Sequence, residues 1–352
     1  MVKRSQGPSK AQATRRRVPT GERSTQELID ELAGVWGPPG REDAVRRRIA
    51  REVTNDADRL ETSPLGALHA VKHAGGAPRI MISTHMDEVA VIVSHVDPAG
   101  YARFTLLGSM DATQLVGQAV SFAEGAVGVV RAEADSGDDK LSVDGLFLDF
   151  GVTSRDDSPV RTGDVGCLQS SRRQFGSRLV GWNAGSRSGL AVLMQVLRGL
   201  GRTAAELHFV FSVQGEFGGD GGKTSAAMLD PRVAVIVSAA EADDYPGGAL
   251  DPIRLGQGPL IPARHGPVTC HPAVVGALVS CAKRKRIPYQ PASLAESLPG
   301  ADVPSVDGGV MAGWVGIPCR GLHTTTEMVD LTDVEATIRL LREFAGARLE
   351  WT

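Results

Sequence analysis

No stretch of this 352-residue chain approaches the roughly 18 consecutive apolar residues of a membrane-spanning helix, so no helical span is expected. Cysteine is scarce. Cys167, Cys270, Cys281 and Cys319 fall at no paired metal-ligand spacing and suggest no disulfide framework, which leaves them as packing residues. An excess of one charge is also missing: the net charge of -3 points neither to nucleic acid nor to a membrane surface as partner. The first residues lack the apolar stretch of a secretory signal, and the expected compartment is the cytoplasm.

What is present is ordinary for a folded protein, with 42% hydrophobic and 22% charged residues, enough for a large core and more than one domain. Residues 1-24 stand apart. Lys3, Arg4, Lys10, Arg15, Arg16, Arg17 and Arg23 face the single acid Glu22, and the segment reads as a flexible basic tail. There is no repeat, and no low-complexity segment beyond that tail.

Ser24-Thr-Gln-Glu27 is a capping-box pattern, and Leu28, Ile29, Leu32, Val35 and Trp36 follow at helical spacing. A second helix runs through Val45, Ile49 and Val53. Extended runs at 67-72 and 79-84, separated by Gly75-Gly76, read as a hairpin. From Val89 to Arg178 the texture changes to short β segments (89-93, 101-107, 126-130, 146-150) with turns such as 97-100 and 135-138, as in a small all-β module inserted into the larger domain. Helix and strand then alternate: helical at 189-200, 223-229, 272-283 and 333-349, extended at 207-213, 233-237 and 316-322. The fold class expected is α/β, a mixed sheet flanked by helices. Residues 25-88 and 179-352 form one domain, interrupted by the insertion at 89-178.

The most informative segment is Arg79-Ile-Met-Ile-Ser-Thr-His85-Met-Asp87-Glu88, a short buried strand that ends on a His-x-Asp pair. Chemistry in open α/β sheets gathers at the carboxyl ends of strands. Imidazole is a common zinc ligand, and a carboxylate two residues on is placed to orient it. Three further segments follow: Val180-Gly-Trp-Asn-Ala-Gly-Ser-Arg187-Ser-Gly189, Val213-Gln214-Gly215-Glu216-Phe-Gly218, and Gly321-Leu-His323-Thr-Thr-Thr-Glu327-Met-Val-Asp330.

With Ile287-Pro-Tyr-Gln290, these segments resemble the glutamyl and tetrahedral aminopeptidase family of two-metal exopeptidases, from about Leu28 to the C-terminus. The resemblance implies a peptidase-type α/β domain with an inserted dimerisation barrel. It implies a peptide or amino-acid-like ligand and a homo-oligomer between dimer and dodecamer. It also implies His85, Glu216 and His323 as metal ligands and Asp87 as the acid orienting His85. Arg187, Asp302 and Glu327 would line the substrate pocket.

The departures from that pattern are specific. The bridging aspartate of the Asp-Asp/Asn-Arg-x-Gly motif is Gly185 here, in a frame fixed by Arg187 and Gly189. The general-base glutamate of Gln-Glu-Glu is Gly215, and the last aspartate ligand is Ser238. Two adjacent dications without a bridging carboxylate repel each other severely in a partly dry pocket, so a two-metal site is not expected. A single divalent ion (zinc, cobalt or manganese) on His85, Glu216 and His323 is chemically allowed. Asp220, Glu241 and Asp243 are the candidate substitute carboxylates. Two functions follow: a divergent metal-dependent aminopeptidase-like hydrolase, or a non-catalytic homologue that binds a ligand or serves as a partner subunit.

Overall fold

The computed structural model describes residues 23-73, 75-134, 141-169, 171-248, 253-306 and 308-348. The basic tail up to Glu22 and the turn read at 135-138 lie outside them. The first helix, α1 (Thr25–Ala33), has the predicted capping box: the Ser24 hydroxyl accepts from the Glu27 amide, and the Glu27 carboxylate accepts from the Ser24 amide at 2.7 Å. Next come α2 (Asp43–Val53), β1 (Arg59–Thr62), β2 (Leu68–Lys72) and β3 (Arg79–His85).

The insertion contributes β4 (Ala90–Val96), β5 (Ala102–Leu107), the one-turn helix α3 (Ala112–Leu115), β6 (Ala119–Phe122), β7 (Val127–Ala132), β8 (Leu146–Asp149) and β9 (Val165–Leu168). These six strands close into a barrel in the order β4-β5-β8-β7-β6-β9 around a core that includes Val91, Phe104, Leu115, Val120 and Leu148. Closure leaves no free sheet edge.

The chain returns through β10 (Arg173–Phe175) and β11 (Arg178–Val180), which belong to the main sheet; the sequence reading had placed β10 in the insertion. Then follow α4 (Ala184–Arg198), β12 (Glu206–Ser212), α5 (Asp220–Leu229), β13 (Val233–Glu241), β14 (Leu260–His265), β15 (Val268–Thr269), α6 (Pro272–Lys285), β16 (Gln290–Leu294), β17 (Met311–Arg320), β18 (Met328–Asp330) and α7 (Leu331–Gly346).

The main sheet runs β1-β2-β12-β3-β13-β17-β18-β11-β10, with β14 joined to β17, β15 and β16. The expected β2/β3 hairpin is not formed. β12 lies between them, antiparallel to β2 and parallel to β3, and β2 makes its hairpin with β1 instead. Four adjacent strands, β12, β3, β13 and β17, are mutually parallel. Their near-continuous burial fits a sheet covered on both faces.

One face is covered by α4, whose fifteen residues include thirteen buried ones. Leu190, Leu193 and Met194 are fully buried there, each contributing about 1.5–3 kcal/mol by removal from water. A charge at Leu193 would break this layer. The opposite face packs a second cluster that includes Ala226, Leu229 and Trp314. All four cysteines are buried and free. No helix among the described residues is long and apolar enough to cross a membrane.

Candidate active site

The parallel strands bring their carboxyl ends to one edge of the sheet, where crossover loops leave a crevice. His85 closes β3, opposite Ser212 at the end of β12. The loop after β12 carries Gln214, Gly215 and Glu216, and the loop after β17 carries His323 and Glu327. Helix α4 points its N-terminus at the same place. Asn183, Gln214 and His323 take positive φ values of 61°, 56° and 60°. Such backbone is costly for side-chain-bearing residues and persists only where its surroundings hold it.

Two buried carboxylates hold the Glu216 loop. Asp87 accepts the Gly215 amide at 2.7 Å and the Glu216 amide at 2.8 Å. Glu42, just ahead of α2, accepts the Gln214 amide at 2.9 Å and the Gly40 amide at 2.8 Å. Three consecutive N–H groups are thereby fixed, and the Glu216 carboxylate is set between the two imidazoles. Its Oε1 lies 3.9 Å from His85 Nε2 and its Oε2 lies 3.4 Å from His323 Nε2. His85 Nδ1 stands 3.3 Å from Asp87 Oδ1, close enough for an ion pair but not aligned as a hydrogen bond.

Glu327 joins the loop to the helix: its carboxylate accepts the Gly185 amide at 2.9 Å and the His323 amide at 3.1 Å. Placing an acid at the first turn of α4 matches the helix dipole.

Charge follows from this geometry. Burial opposes protonation of His85, but the neighbouring Asp87 and Glu216 carboxylates outweigh it and hold its pKa up at about 9. His323 is raised the same way, burial being overcome by Glu216. Burial lifts Glu327 to about 7, although the Gly185 and His323 amides work against the rise. Asp87 stays below the usual carboxylate range despite its burial, because His85 and two backbone amides stabilise its charge.

A cavity of about 610 Å³ opens over these residues. Among the described residues its charged and titratable lining consists of His85, His323 and six acids, Glu216, Glu241, Asp243, Glu296, Asp302 and Glu327, with no lysine or arginine. Of the substitute carboxylates, Glu241 accepts the Gly321 and Leu322 amides at 3.1 and 2.8 Å, and Asp243 accepts the Ile253 amide at 2.9 Å. Both are spent on backbone. Asp220 begins α5, is exposed, and does not line the cavity.

Arg187 requires a correction. The sequence reading placed it at the substrate pocket, but it is fully buried away from the cavity, where it donates to Glu88 at 3.1 Å and to the Val35 and Met86 carbonyls. Glu88 also accepts from the Gly37 amide at 3.0 Å, from Trp182 at 2.8 Å and from Asn183. Because Trp182 packs into the barrel core, this hub ties barrel to sheet. Sequence reasoning missed Glu42 and Glu88. The only signal for either was an acid next to a break or a motif residue: Glu42 after Gly37-Pro-Pro-Gly40, and Glu88 after Asp87.

The two-metal centre implied by the sequence resemblance does not fit these residues. Gly185 and Gly215 offer no side chain, and Ser238 has a buried hydroxyl without a partner among the described residues, a poor substitute for a carboxylate. For one ion, two imidazoles and a carboxylate are a suitable donor set by type. Even so, no three His, Cys, Asp or Glu side chains among the described residues are already gathered as a metal cluster.

Comparison with known proteins agrees with this architecture. The sequence pattern of the M42 glutamyl aminopeptidase family matches residues 66–340, and the chain belongs to that family. A relative from Acetivibrio thermocellus that carries an aminopeptidase name is 33% identical over 323 residues, covering 90% of this chain and 97% of its own. Among solved structures, an aminopeptidase from the archaeon Desulfurococcus kamchatkensis superposes with a TM-score of 0.87 at 29% identity, covering 92% of this chain and 95% of that one. At 22% identity, the Pyrococcus horikoshii TET1 peptidase shares the fold, with a TM-score of 0.81 and coverage of 92% and 99%; that protein can assemble into a tetrahedron or a large octahedral shell.

Proposed function

We propose that this chain is a divergent aminopeptidase-type protein whose cavity receives the amino-terminal end of a short peptide, or the amine of a small amide, without two-metal hydrolysis. The cavity lining carries this reading: among the described residues, six acids and no lysine or arginine around a part-desolvated concavity concentrate negative potential and favour an ammonium group. The family mechanism, in contrast, has lost its bridging carboxylate at 185, its general base at 215 and a ligand at 238. Loss of a general base alone typically costs about 10²–10⁴-fold in rate.

The purified chain is expected to hydrolyse aminoacyl anilides at least ~100-fold more slowly than an intact relative, with zinc, cobalt or manganese supplied. Turnover at the relative's rate that vanishes in His323→Ala would refute the reading. Peptide binding without turnover would identify a ligand-binding or partner subunit.

A second reading keeps slow hydrolysis on a single divalent ion. It is favoured by the position of Glu216 between His85 and His323, which would be the three protein ligands. Such an ion would supply Lewis acidity and a more acidic bound water. Asp87 would orient His85 and, with Glu42, keep Glu216 in place. This reading expects about one ion per chain and chelator-sensitive turnover, and it fails if chain purified without chelators carries none. Homo-oligomerisation, from dimer to dodecamer, through the inserted barrel and a cytoplasmic location belong to the same proposal; light scattering checks the first and fractionation the second.

A further inference from the structure

We infer that the floor of the former two-metal centre has been filled in, so that returning the missing carboxylates does not rebuild it. This rests on the proposed loss of two-metal chemistry but goes a step further: the lesion is steric as well as chemical.

Position 185 lies in the first turn of α4. A Cβ there would sit 2.7 Å from the Ala239 Cβ, 3.3 Å from the Cys319 Sγ and 3.4 Å from a Glu327 oxygen. Two carbons do not approach to 2.7 Å without something moving. Neither backbone yields easily: α4 is buried along almost its whole length, and Ala239 on β13 is held in register with Ile317 of β17. Close-packed interiors resist added methylenes for this reason.

Position 215 is tighter. A Cβ there would run into the His85 Cβ and lie 2.6 Å from its Cγ. His85 is anchored at the end of a central strand, and the Gly215 amide is held on Asp87 at 2.7 Å. A glutamate at 215 must therefore push His85 away from Glu216 or tear its own loop off Asp87. The restored base would displace the ligand it is meant to serve. At 238 the obstacle is electrostatic, since an aspartate there would bury a charge at a site whose present hydroxyl finds no partner among the described residues.

The test uses the full chain and four variants: Gly185→Asp with Gly215→Glu and Ser238→Asp in one protein, Gly185→Ala, Ala239→Gly, and the last two combined. Thermal melting is measured without metal, and zinc per chain is measured by elemental analysis after equilibration with excess zinc and gel filtration. The expected results are a triple variant that melts below the parent chain and carries no more zinc than it does, and a lowered melting point in Gly185→Ala that Ala239→Gly partly restores. A triple variant that melts with the parent and holds two zinc ions overturns the inference. So does a Gly185→Ala protein with an unchanged melting point, a readout that survives if the triple variant fails to fold. Two zinc ions on the parent chain itself would instead overturn the underlying reading, whatever the variants do.

Discussion

Gly185 and Arg187 stand two residues apart in the first turn of α4, yet they belong to regions of opposite character. Around Arg187 the polar network is dense, although its buried Nε finds no partner among the described residues: Glu88 is met by the guanidinium, by Trp182, by Asn183 and by the Gly37 amide, and the barrel is thereby tied to the sheet. Around Gly185 no carboxylate stands at 185, 215 or 238, and Ala239, Cys319 and Glu327 crowd the space. The same motif thus separates into a part that ties barrel to sheet and a part where glycine stands without a side chain beside the cavity.

The sharpest way to break that comparison is Arg187→Ala. Removing one partner of a fully buried ion pair leaves Glu88 uncompensated, and unfolding in denaturant should show a loss of about 3–5 kcal/mol. A loss below ~1 kcal/mol would mean the hub is not structural.

The next effect is one of pH in the metal-free chain. The folded pKa values of His85 and Glu327, about 9 and about 7, are raised above the ordinary 6.5 and 4.5, so both groups favour the folded state when protonated. The Glu327 contribution is full below pH 4.5 and gone above about 7, whereas that of His85 is full below 6.5 and fades as pH rises through 9. The melting temperature should therefore decline from pH 6.5 to 9.5, and less steeply in His85→Asn. A flat profile in the parent chain would show that the two charges are not coupled to the fold.

Glu42→Ala comes third. It strips acceptors from the Gly40 and Gln214 amides and should cost about 1–3 kcal/mol, while Glu42→Gln, able to keep the shared oxygen, should recover most of it. Hydrogen exchange at Gln214 should rise in the alanine variant alone. The smallest effect belongs to His323→Ala. This side chain is partly exposed, and its loss should change stability by no more than ~1 kcal/mol. A larger cost would assign the remaining site residues to the structural region.

Much of this was legible before any coordinates. The strand that ends on His85, the β-rich insertion and the helix-strand alternation follow from local patterning, which survives folding, while the roles of the Glu216 and His323 segments rested on the family resemblance. What was not legible depended on distant partners. The β2/β3 hairpin failed because β12, more than 120 residues downstream, wedges between the two strands, and periodicity carries no record of such pairing. Arg187 was wrongly aimed, because Glu88 turns it inward. Glu42 escaped notice because it works across the fold on a loop after β12 rather than as a cap for α2. The crowding at Gly185 and Gly215 is a distance between segments, which no motif encodes.

Calorimetric titration of zinc into the chain, after chelator treatment and dialysis, is the most direct measurement of the central claim. The account predicts at most one bound ion per chain, lost in His323→Ala. Two tightly held ions per chain would show that the cavity supplies the bridging ligand and the space that this structure denies it.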